Sequence, residues 1–375
     1  MVVFFGPDKA FENLVEIRTS ENEVTVGYLD SVRVYNSRIR ATELASQGTK
    51  YSIPDEVDNC VVRANDFGSV LGHVISSFAA ILEEAYDIGT LFVQNPPARA
   101  LGSLRAAHSE DQVEEIRYEY RKVEKGDLPK IYSSLLEDVL GQEESKKAII
   151  TSLYSLSVMS DERPSVLLLY GPSGVGKTET AKCLSESLGG GLTRIQFSMM
   201  QTTEAYDYLF GAEHSKASFA RDLLKRESNV VLIDEFDKVK PVLYNMFYQL
   251  FDEGYFVDTN YEVDMRNSLF LLTSNFASER EARRAMGPAM FSRISGCIQF
   301  EDLSTEDKAA IAKNRYKQVY DRLCEDDKAT IAASDILPWF VENADRYDNM
   351  RTMKNKVEKA IFELLSAPIL EKREE

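Results

Sequence analysis

The segment Gly171-Pro-Ser-Gly-Val-Gly-Lys-Thr178 restricts the fold of this chain more than any other stretch. It matches the pattern GxxxxGK[ST] in full, follows an apolar run and precedes the helical pattern TETAKCLSESLG. Glycines in such a loop let backbone amides approach phosphate oxygens, and the N-terminus of the next helix adds partial positive charge. The pattern therefore predicts a strand, a phosphate-binding loop and a helix.

Two side chains of this loop have specific expected roles. Lys177 should reach the β- and γ-phosphates of a nucleotide, and the Thr178 hydroxyl should take a place on Mg²⁺. The predicted nucleotide-binding residues are Gly171, Pro172, Ser173, Gly174, Val175, Gly176, Lys177, Thr178 and Glu179.

Two adjacent carboxylates follow a second apolar run. The run Asn229-Val-Val-Leu-Ile233 leads directly into Asp234 and Glu235. Packing does not explain this pair, because burying an unpaired charge is very unfavourable. With the phosphate loop upstream, we expect Asp234 to hold Mg²⁺ through its water shell. We expect Glu235 to polarise the water that attacks the γ-phosphate.

The chain divides by pattern into four stretches. Residues 1–95 alternate short β-branched or aromatic runs with turn residues, and then become helical from residue 68 to about 93, which predicts a small α+β domain. Residues 96–127 predict a linker and a solvated connecting helix. Residues 128–303 predict a P-loop α/β core with a parallel five-stranded sheet, and residues 304–375 predict a helical lid.

The expected strands follow from these runs. In the first stretch they are VVFF, LVEIR, VTVGYL, VRVY and NCVVRA. In the α/β core they are SVLLLY (165–170), TRIQF (193–197), NVVLI (229–233), SLFLLT (268–273) and CIQF (297–300).

Composition limits the partner and the compartment. There are 44 Lys plus Arg against 61 Asp plus Glu, a net charge of −17, which disfavours binding to duplex nucleic acid and favours protein partners. No apolar run approaches the length of a membrane span, and the start MVVFFGPDKAFENLV fits no secretion signal. The four cysteines lie far apart, which predicts neither a zinc site nor a disulfide framework. We therefore expect a cytoplasmic protein.

Residues from about 128 to 365 resemble the AAA+ ATPases of the Clp type, with the segments in the order of that family. Val139-Leu140-Gly-Gln142 is similar to the element that packs on adenine, and Thr273-Ser-Asn275 is similar to sensor 1. The position of the family's arginine finger is matched by Phe291-Ser-Arg293-Ile. The position of the family's sensor 2 arginine is matched by Asn349-Met-Arg351.

The resemblance implies ATP and Mg²⁺ as ligands. It implies Lys177, Glu235, Asn275 and Arg293 as catalytic residues, with Thr178 and Asp234 at the metal. Leu140, Gln142 and Arg351 would join the nucleotide-binding set. An arginine finger acts on a neighbour's nucleotide, so the resemblance also implies a homo-oligomer, six subunits in a ring being the usual number. In this family an N-terminal unit selects adaptors or substrates, which assigns partner binding to residues 1–127.

The sequence departs from the family in two places. The family's pore loop carries an aromatic residue flanked by glycine and valine, whereas residues 209–219 here read LFGAEHSKASF and are several residues shorter. The aromatic and imidazole side chains that could substitute are Tyr206, Tyr208, His214 and Phe219. The segment between Asn275 and Arg293 also lacks the isoleucine-glycine-hydrophobic loop that docks a protease, so no docked protease is expected.

Three functions remain open at this point. The favoured one is an ATP-hydrolysing protein that remodels, assembles or disassembles another protein. The second is a nucleotide-gated regulatory or scaffold subunit of a larger bacterial or phage system for defence, transposition or secretion. The third, a nucleic-acid motor or loader, is disfavoured by the charge.

Overall fold

The computed structural model describes residues 1–44, 55–159, 163–197, 202–211 and 216–371. The strands are β1 (Val2–Phe5), β2 (Thr25–Gly27), β3 (Asp55–Val62), β4 (Tyr86–Gln94), β5 (Glu114–Arg117), β6 (Ser165–Tyr170), β7 (Thr193–Gln196), β8 (Val230–Asp234), β9 (Tyr255–Val257), β10 (Glu262–Asp264), β11 (Leu269–Ser274) and β12 (Gly296–Gln299). They form two parallel sheets and one antiparallel ribbon, which joins β9 to β10.

Helices surround both sheets. In the first half of the chain they are α1 (Asp8–Arg18), α2 (Tyr28–Leu44), α3 (Gly72–Ser76), α4 (Phe78–Ala85), α5 (Ala98–Ala107), α6 (Leu128–Asp138), α7 (Glu143–Val158) and α8 (Lys177–Ser187). In the second half they are α9 (Thr202–Phe210), α10 (Phe219–Leu224), α11 (Asn245–Glu253), α12 (Glu279–Phe291), α13 (Thr305–Tyr320), α14 (Glu325–Ala332), α15 (Ile336–Glu342) and α16 (Met350–Glu371). None of the described helices has both the length and the apolar composition that a membrane crossing requires.

The central sheet has the strand order β12-β6-β11-β8-β7, and every neighbouring pair is parallel. Its strands coincide with the five apolar runs, so this prediction is confirmed. The runs of β6, β8 and β11 are apolar at successive positions because hydrophobic clusters cover both faces of these strands, whereas β7 also carries Arg194 and Gln196. Since the strands are parallel, the loops that follow β6, β8 and β11 meet at one edge of the sheet.

The four last helices, α13 to α16, follow the central sheet as the sequence predicts. Helix α16 buries Met353, Val357 and Ile361, which are spaced by four residues and therefore share one face. They belong to the same hydrophobic cluster as Leu167 and Leu169 of β6, so the lid helices and the sheet share a core.

The N-terminal sheet corrects the prediction for residues 1–95. Its order is β2-β3-β4-β1-β5, and every pair is parallel, so this unit is α/β and not α+β. Two expected strands are helical: LVEIR lies in α1 and VRVY lies in α2. In α1, Phe11 and Val15 are buried one helical turn apart, and this spacing outweighs the β propensity of Val and Ile.

The helix expected over residues 68–93 is also shorter than predicted. Helix α3 ends at Ser76 and helix α4 ends at Ala85. The following residues form β4, which lies between β3 and β1. The apolar run of β4 fits a buried central strand as well as a helix, and only pairing with two neighbouring strands selects the strand.

Residues expected to form a linker belong partly to the N-terminal sheet. Helix α5 buries Ala100 and Leu104 in the hydrophobic cluster of this unit. Residues Glu114–Arg117, expected within a connecting helix, form strand β5, which pairs with β1. The charged sequence of β5 is compatible with an edge strand, since an edge strand has only one strand neighbour.

Candidate functional site

The phosphate loop joins β6 to α8 in a backbone conformation that requires glycine. Gly171, Gly174 and Gly176 have φ angles of 134°, 84° and 110°. A Cβ on Gly171 would lie 2.1 Å from the carbonyl oxygen of Phe300, so no other residue fits there. The loop therefore presents backbone at the N-terminus of an 11-residue helix, which is the arrangement expected for an anion site.

Lys177 is the first residue of α8 and is buried. Its ammonium group donates to the carbonyl oxygens of Gly171 at 2.6 Å and Pro172 at 2.8 Å. Burial lowers the pKa of Lys177 to about 8, and the carboxylates of Asp237 and Asp234 act in the opposite direction. Lys177 is thus directed into the loop, beside the carboxylates that follow β8.

The other predicted loop residues differ in exposure. Pro172, Ser173, Gly174 and Glu179 are exposed, Gly176 and Thr178 are half-buried, and Val175 is buried. Val175 packs in the same hydrophobic cluster as Val139, which anchors the loop to the segment before α7.

Asp234 ends strand β8 and is buried. One of its carboxylate oxygens accepts a hydrogen bond from the Thr273 hydroxyl on the neighbouring strand β11. The other accepts two from the guanidinium of Arg194 on β7, one of them from Nε at 2.9 Å. Groups on both neighbouring strands therefore satisfy this buried carboxylate with hydrogen bonds.

Glu235 follows Asp234 in a left-handed backbone conformation, with φ of 55°. Its amide donates to the Thr273 hydroxyl at 2.9 Å, and its carboxylate accepts from the amide side chain of Gln196 at 3.4 Å. Asn275, one residue beyond β11, is exposed. Because β8 and β11 are adjacent, Asn275 and Glu235 follow neighbouring strands at the same edge.

The expected adenine element lies beside the lid. Leu140 and Gln142 are half-buried. The side chain of Gln142 bonds to the backbone of Glu301 twice, donating to its carbonyl oxygen at 2.7 Å and accepting from its amide at 3.0 Å. Gln142 thereby ties the start of α7 to the segment after β12, and its contact with adenine stays a prediction.

Arg293 follows α12 and is half-buried. Its guanidinium donates to one oxygen of Asp252 on α11 at 2.9 and 2.6 Å, and to the Ala289 carbonyl oxygen at 2.6 Å. It also lies 4.2 Å from the ring centre of Tyr248. These partners lie on α11 and α12 and not in the phosphate loop.

Arg351 lies at the start of α16 and is exposed. Its amide donates to the side-chain oxygen of Asn349 at 2.9 Å. The same oxygen lies 3.2 Å from the position that a Cβ on Gly174 would take. Asn349 and the start of α16 therefore lie beside Gly174 of the phosphate loop, and Arg351 is the second residue of α16.

The aromatic residues considered for a substitute pore loop have different environments. Phe219 is fully buried, and Tyr208 is buried with its hydroxyl donating to Asp222 at 2.5 Å. Tyr206 is 48% exposed and stacks on Phe210 at 4.0 Å between ring centres. His214 lies outside the described residues. The core positions of Tyr208 and Phe219 leave Tyr206 as the exposed aromatic residue of this set that the structure describes.

Sequence reasoning did not identify Arg194 or Gln196, and it named Thr273 only as the first residue of the sensor 1 segment. All three contact Asp234 or Glu235. Arg194 and Gln196 lie two residues apart on β7 and therefore share one face of the strand. Strand β7 pairs with β8, with Gln196 opposite Asp234. The strand order of the sheet supplies the missing information, because it makes β7 and β11 the neighbours of β8.

The donor set at this edge fits a nucleotide with Mg²⁺. A hard cation prefers oxygen ligands, and the Thr178 hydroxyl and the Asp234 carboxylate are the oxygen groups that the motifs assign to it. The glycine backbone and the Lys177 ammonium provide the donors for phosphate oxygens.

Comparison with known proteins places these features in a family. The family described as AAA domain (Cdc48 subfamily) matches residues 162–325. The chaperone protein ClpB of Chlamydia caviae is 30% identical over 275 residues, covering 63% of this chain and 32% of that protein. ClpB of Pseudomonas putida is 31% identical over 232 residues, covering 54% of this chain and 27% of that protein. The chain thus corresponds to less than two thirds of the length of these relatives.

A solved structure has a similar fold. It is a cryo-EM reconstruction of the closed state of Hsp104 with ATPγS and FITC casein, and it superposes with a TM-score of 0.53 at 22% identity. The match covers 67% of this chain and 48% of that chain. The phosphate loop, the carboxylates after β8 and the strand order agree with the family match. Residues 162–325 are therefore identified as an AAA domain similar to those of the Clp-type AAA+ ATPases.

Proposed function

We propose that this chain hydrolyses ATP and uses the energy to remodel, assemble or disassemble a protein partner, acting as a ring of subunits, six by analogy with the family. The observation that carries the proposal is the placement of Lys177, Asp234 and Glu235 at one edge of the central sheet. Such a group can bind phosphates, hold a metal ion and activate water in one place.

Each side chain has a distinct role in this proposal. The Lys177 ammonium exchanges its loop carbonyl acceptors for phosphate oxygens. Thr178 and Asp234 would hold Mg²⁺, which would supply positive charge to the phosphates. Glu235 orients and polarises the attacking water, and Gln196 holds the Glu235 carboxylate. Asn275 helps to place that water.

The proposed organisation follows the sequence prediction. Residues 128–303 form the ATPase core, residues 304–375 form the lid, and partner binding belongs to residues 1–127. Arg293 supports the ring, since its partners Asp252 and Ala289 lie on α11 and α12 and not in the phosphate loop of its own chain. A finger in that position acts on the nucleotide of a neighbouring subunit.

Two variants test the ATPase assignment. Lys177→Ala should abolish nucleotide binding, because this ammonium is the charged donor for the phosphates. Glu235→Gln should keep nucleotide binding and lose hydrolysis, because the carboxylate acts on the attacking water. Fluorescent-nucleotide binding and phosphate release on the full chain measure the two effects, and equal nucleotide affinity in Lys177→Ala and wild type would contradict the assignment.

Addition of an unfolded protein tests whether the partner is a polypeptide. Casein should stimulate phosphate release by the wild-type chain if a polypeptide is the partner. Stimulation by DNA that weakens steeply with salt would point to a nucleic-acid motor instead. The Glu235→Gln variant loaded with ATP should retain bound protein partners in a pull-down.

One observation favours the second candidate, a regulatory or scaffold subunit that switches without threading polypeptide. Tyr208 and Phe219 belong to the core and are unavailable to grip a chain. We therefore expect the wild-type protein to leave a stable tagged fluorescent protein folded under conditions where it hydrolyses ATP. Loss of that fluorescence driven by ATP would restore the ordinary unfoldase as the better account.

A further inference from the structure

We propose that residues 225–227 form a latch that holds the N-terminal unit, defined here as residues 1–120, against the ATPase module and supports the catalytic strand β8. A partner that pulls the N-terminal unit away would then slow hydrolysis. The inference goes beyond partner binding by residues 1–127, and its kinetic part rests on the proposed ATP hydrolysis.

The two outer residues of the latch make polar contacts with the N-terminal unit. The Lys225 ammonium donates to the side-chain oxygen of Asn65 at 2.5 Å. The Glu227 carboxylate pairs with Lys9 at 2.8 Å. Lys9 is 79% exposed, so its pair adds orientation more than stability.

The middle residue, Arg226, is the most deeply buried of the three. It is only 5% exposed, and its guanidinium donates to the carbonyl oxygens of Leu223 at 2.8 Å and Asp264 at 2.9 Å. The ring of Tyr120 covers the same guanidinium, with 3.8 Å from Cζ to the ring centre. A buried cation depends strongly on such compensation, so removing the ring would expose and loosen Arg226.

The contacts come from one edge of the N-terminal sheet. Lys9 follows β1, Asn65 follows β3 and Tyr120 follows β5, and the amide of Ala98, after β4, donates to the Asn260 carbonyl oxygen at 2.7 Å. This is the carboxyl edge of the parallel strands, where open α/β sheets usually bind ligands. Here the ATPase module occupies that edge, which is what a docked regulatory unit requires.

Some space remains at this edge. A cavity of about 660 Å³ opens between the two units, lined by Gly6, Tyr118 and Tyr120 on one side and by Arg226 and Asn267 on the other. A ligand or peptide that enters the cavity would therefore contact the ring that covers Arg226.

The latch leads directly into the catalytic strand. Ser228 follows it and is buried, with its hydroxyl 2.6 Å from that of Ser185 on α8, the helix that begins with Lys177. Strand β8 starts two residues later and ends at Asp234. A displacement of Arg226 would thus reach both the phosphate-loop helix and the strand that carries Asp234 and Glu235.

The test compares two substitutions of Tyr120 in the full chain. Tyr120→Leu removes the ring over Arg226, whereas Tyr120→Phe keeps it. Tyr154→Leu is the matched control, because Tyr154 also faces a cation, with Lys125 5.2 Å from its ring centre, but lies 51% exposed on α7 of the ATPase module. Hydrogen exchange of residues 118–124 and 225–230 measures docking of the N-terminal unit on the ATPase module. Nucleotide affinity and kcat measure the state of the ATPase site.

We expect Tyr120→Leu to exchange faster in both segments and to lose at least threefold in kcat, with nucleotide affinity within twofold of wild type. Tyr120→Phe and Tyr154→Leu should behave like wild type. Unchanged exchange and kcat in Tyr120→Leu, or an equal fall in Tyr154→Leu, would overturn the latch. A thermal unfolding curve checks that each variant is folded.

A second variant covers the case in which Tyr120→Leu fails to fold. Lys9→Glu places like charges at the contact with Glu227 on an exposed site, and it should speed exchange at residues 225–230 to a smaller extent. Wild-type exchange in Lys9→Glu would count against docking through this contact. If the wild-type chain hydrolyses no ATP, the proposed function fails, while the exchange measurements still decide whether the latch exists.

Discussion

At the residue scale, the fold changes the chemistry of Lys177 most clearly. Its ammonium lies in a buried loop, and desolvation lowers its pKa to about 8. The charged form is therefore less favoured in the free protein than in an unfolded chain, and a fraction of the molecules carries a neutral Lys177 at mildly alkaline pH.

This pKa predicts a pH dependence of nucleotide binding. Phosphate binding requires the ammonium, so affinity should be nearly full at pH 7, about half of that at pH 8, and roughly tenfold lower at pH 9 than at pH 7. Titration with a fluorescent nucleotide across this range measures the effect. Lys177→Arg is the control, because its guanidinium stays charged, and a flat affinity profile in the wild type would contradict the prediction.

Arg293 carries a second prediction at this scale. Arg293→Ala should lower turnover by about 10³-fold, the scale of an arginine finger, with little change in ATP affinity. Arg283→Ala is a matched control, since Arg283 is an exposed arginine on α12 that pairs with Glu279. Normal turnover in Arg293→Ala, or an equal loss in both variants, would remove Arg293 from the active site.

At the element scale, the segment between α9 and α10 differs most from the family. Both flanking helices are anchored, with Leu209 on α9 and Phe219 on α10 fully buried. Thr259 holds the start of this segment. The amide and the hydroxyl of Thr259 donate to the Phe210 carbonyl oxygen at 3.1 and 2.8 Å. The segment is therefore fixed at its ends by packing that does not involve the phosphate loop.

This anchoring predicts the effect of replacing residues 213–216 with Gly and Ser. Basal ATP hydrolysis should stay within about threefold of wild type, under ~1 kcal/mol of barrier, because the described partners of Lys177 and Glu235 lie in the phosphate loop and on β7 and β11. Steady-state phosphate release by the isolated protein measures this. A tenfold loss with intact folding would show that the segment contributes to the active site.

At the scale of the whole molecule, the proposed ring divides each active site between two chains. One chain would provide Glu235, and its neighbour would provide Arg293 from the end of α12. Coupling of hydrolysis to subunit geometry would follow from this division, since positive charge reaches the transition state only when neighbours are correctly placed.

Mixing two inactive variants tests this division. Assemblies of Arg293→Ala with Glu235→Gln should regain part of the wild-type activity, because some interfaces then combine an intact finger with an intact carboxylate. Each variant mixed with itself serves as the control. Absence of activity in mixtures whose co-assembly is shown by native mass spectrometry would exclude a shared site.

Local patterns in the sequence were enough to predict the phosphate loop, the carboxylates after β8 and all strands of the central sheet. The loop needs glycine at Gly171 because a Cβ would meet Phe300, and that requirement is visible as a motif. The central strands β6, β8 and β11 are also recognisable, since strands buried on both faces must be largely apolar.

Only the tertiary structure decided the remainder. The run at β4 suits a helix or a strand, and its pairing with β3 and β1 selects the strand. Arg194 satisfies Asp234, and Tyr120 covers Arg226, because strand order and domain docking bring residues from distant parts of the chain together. The physical reason is that a sequence pattern records the burial and local geometry of each residue, whereas the partner of a buried charge depends on which elements become neighbours.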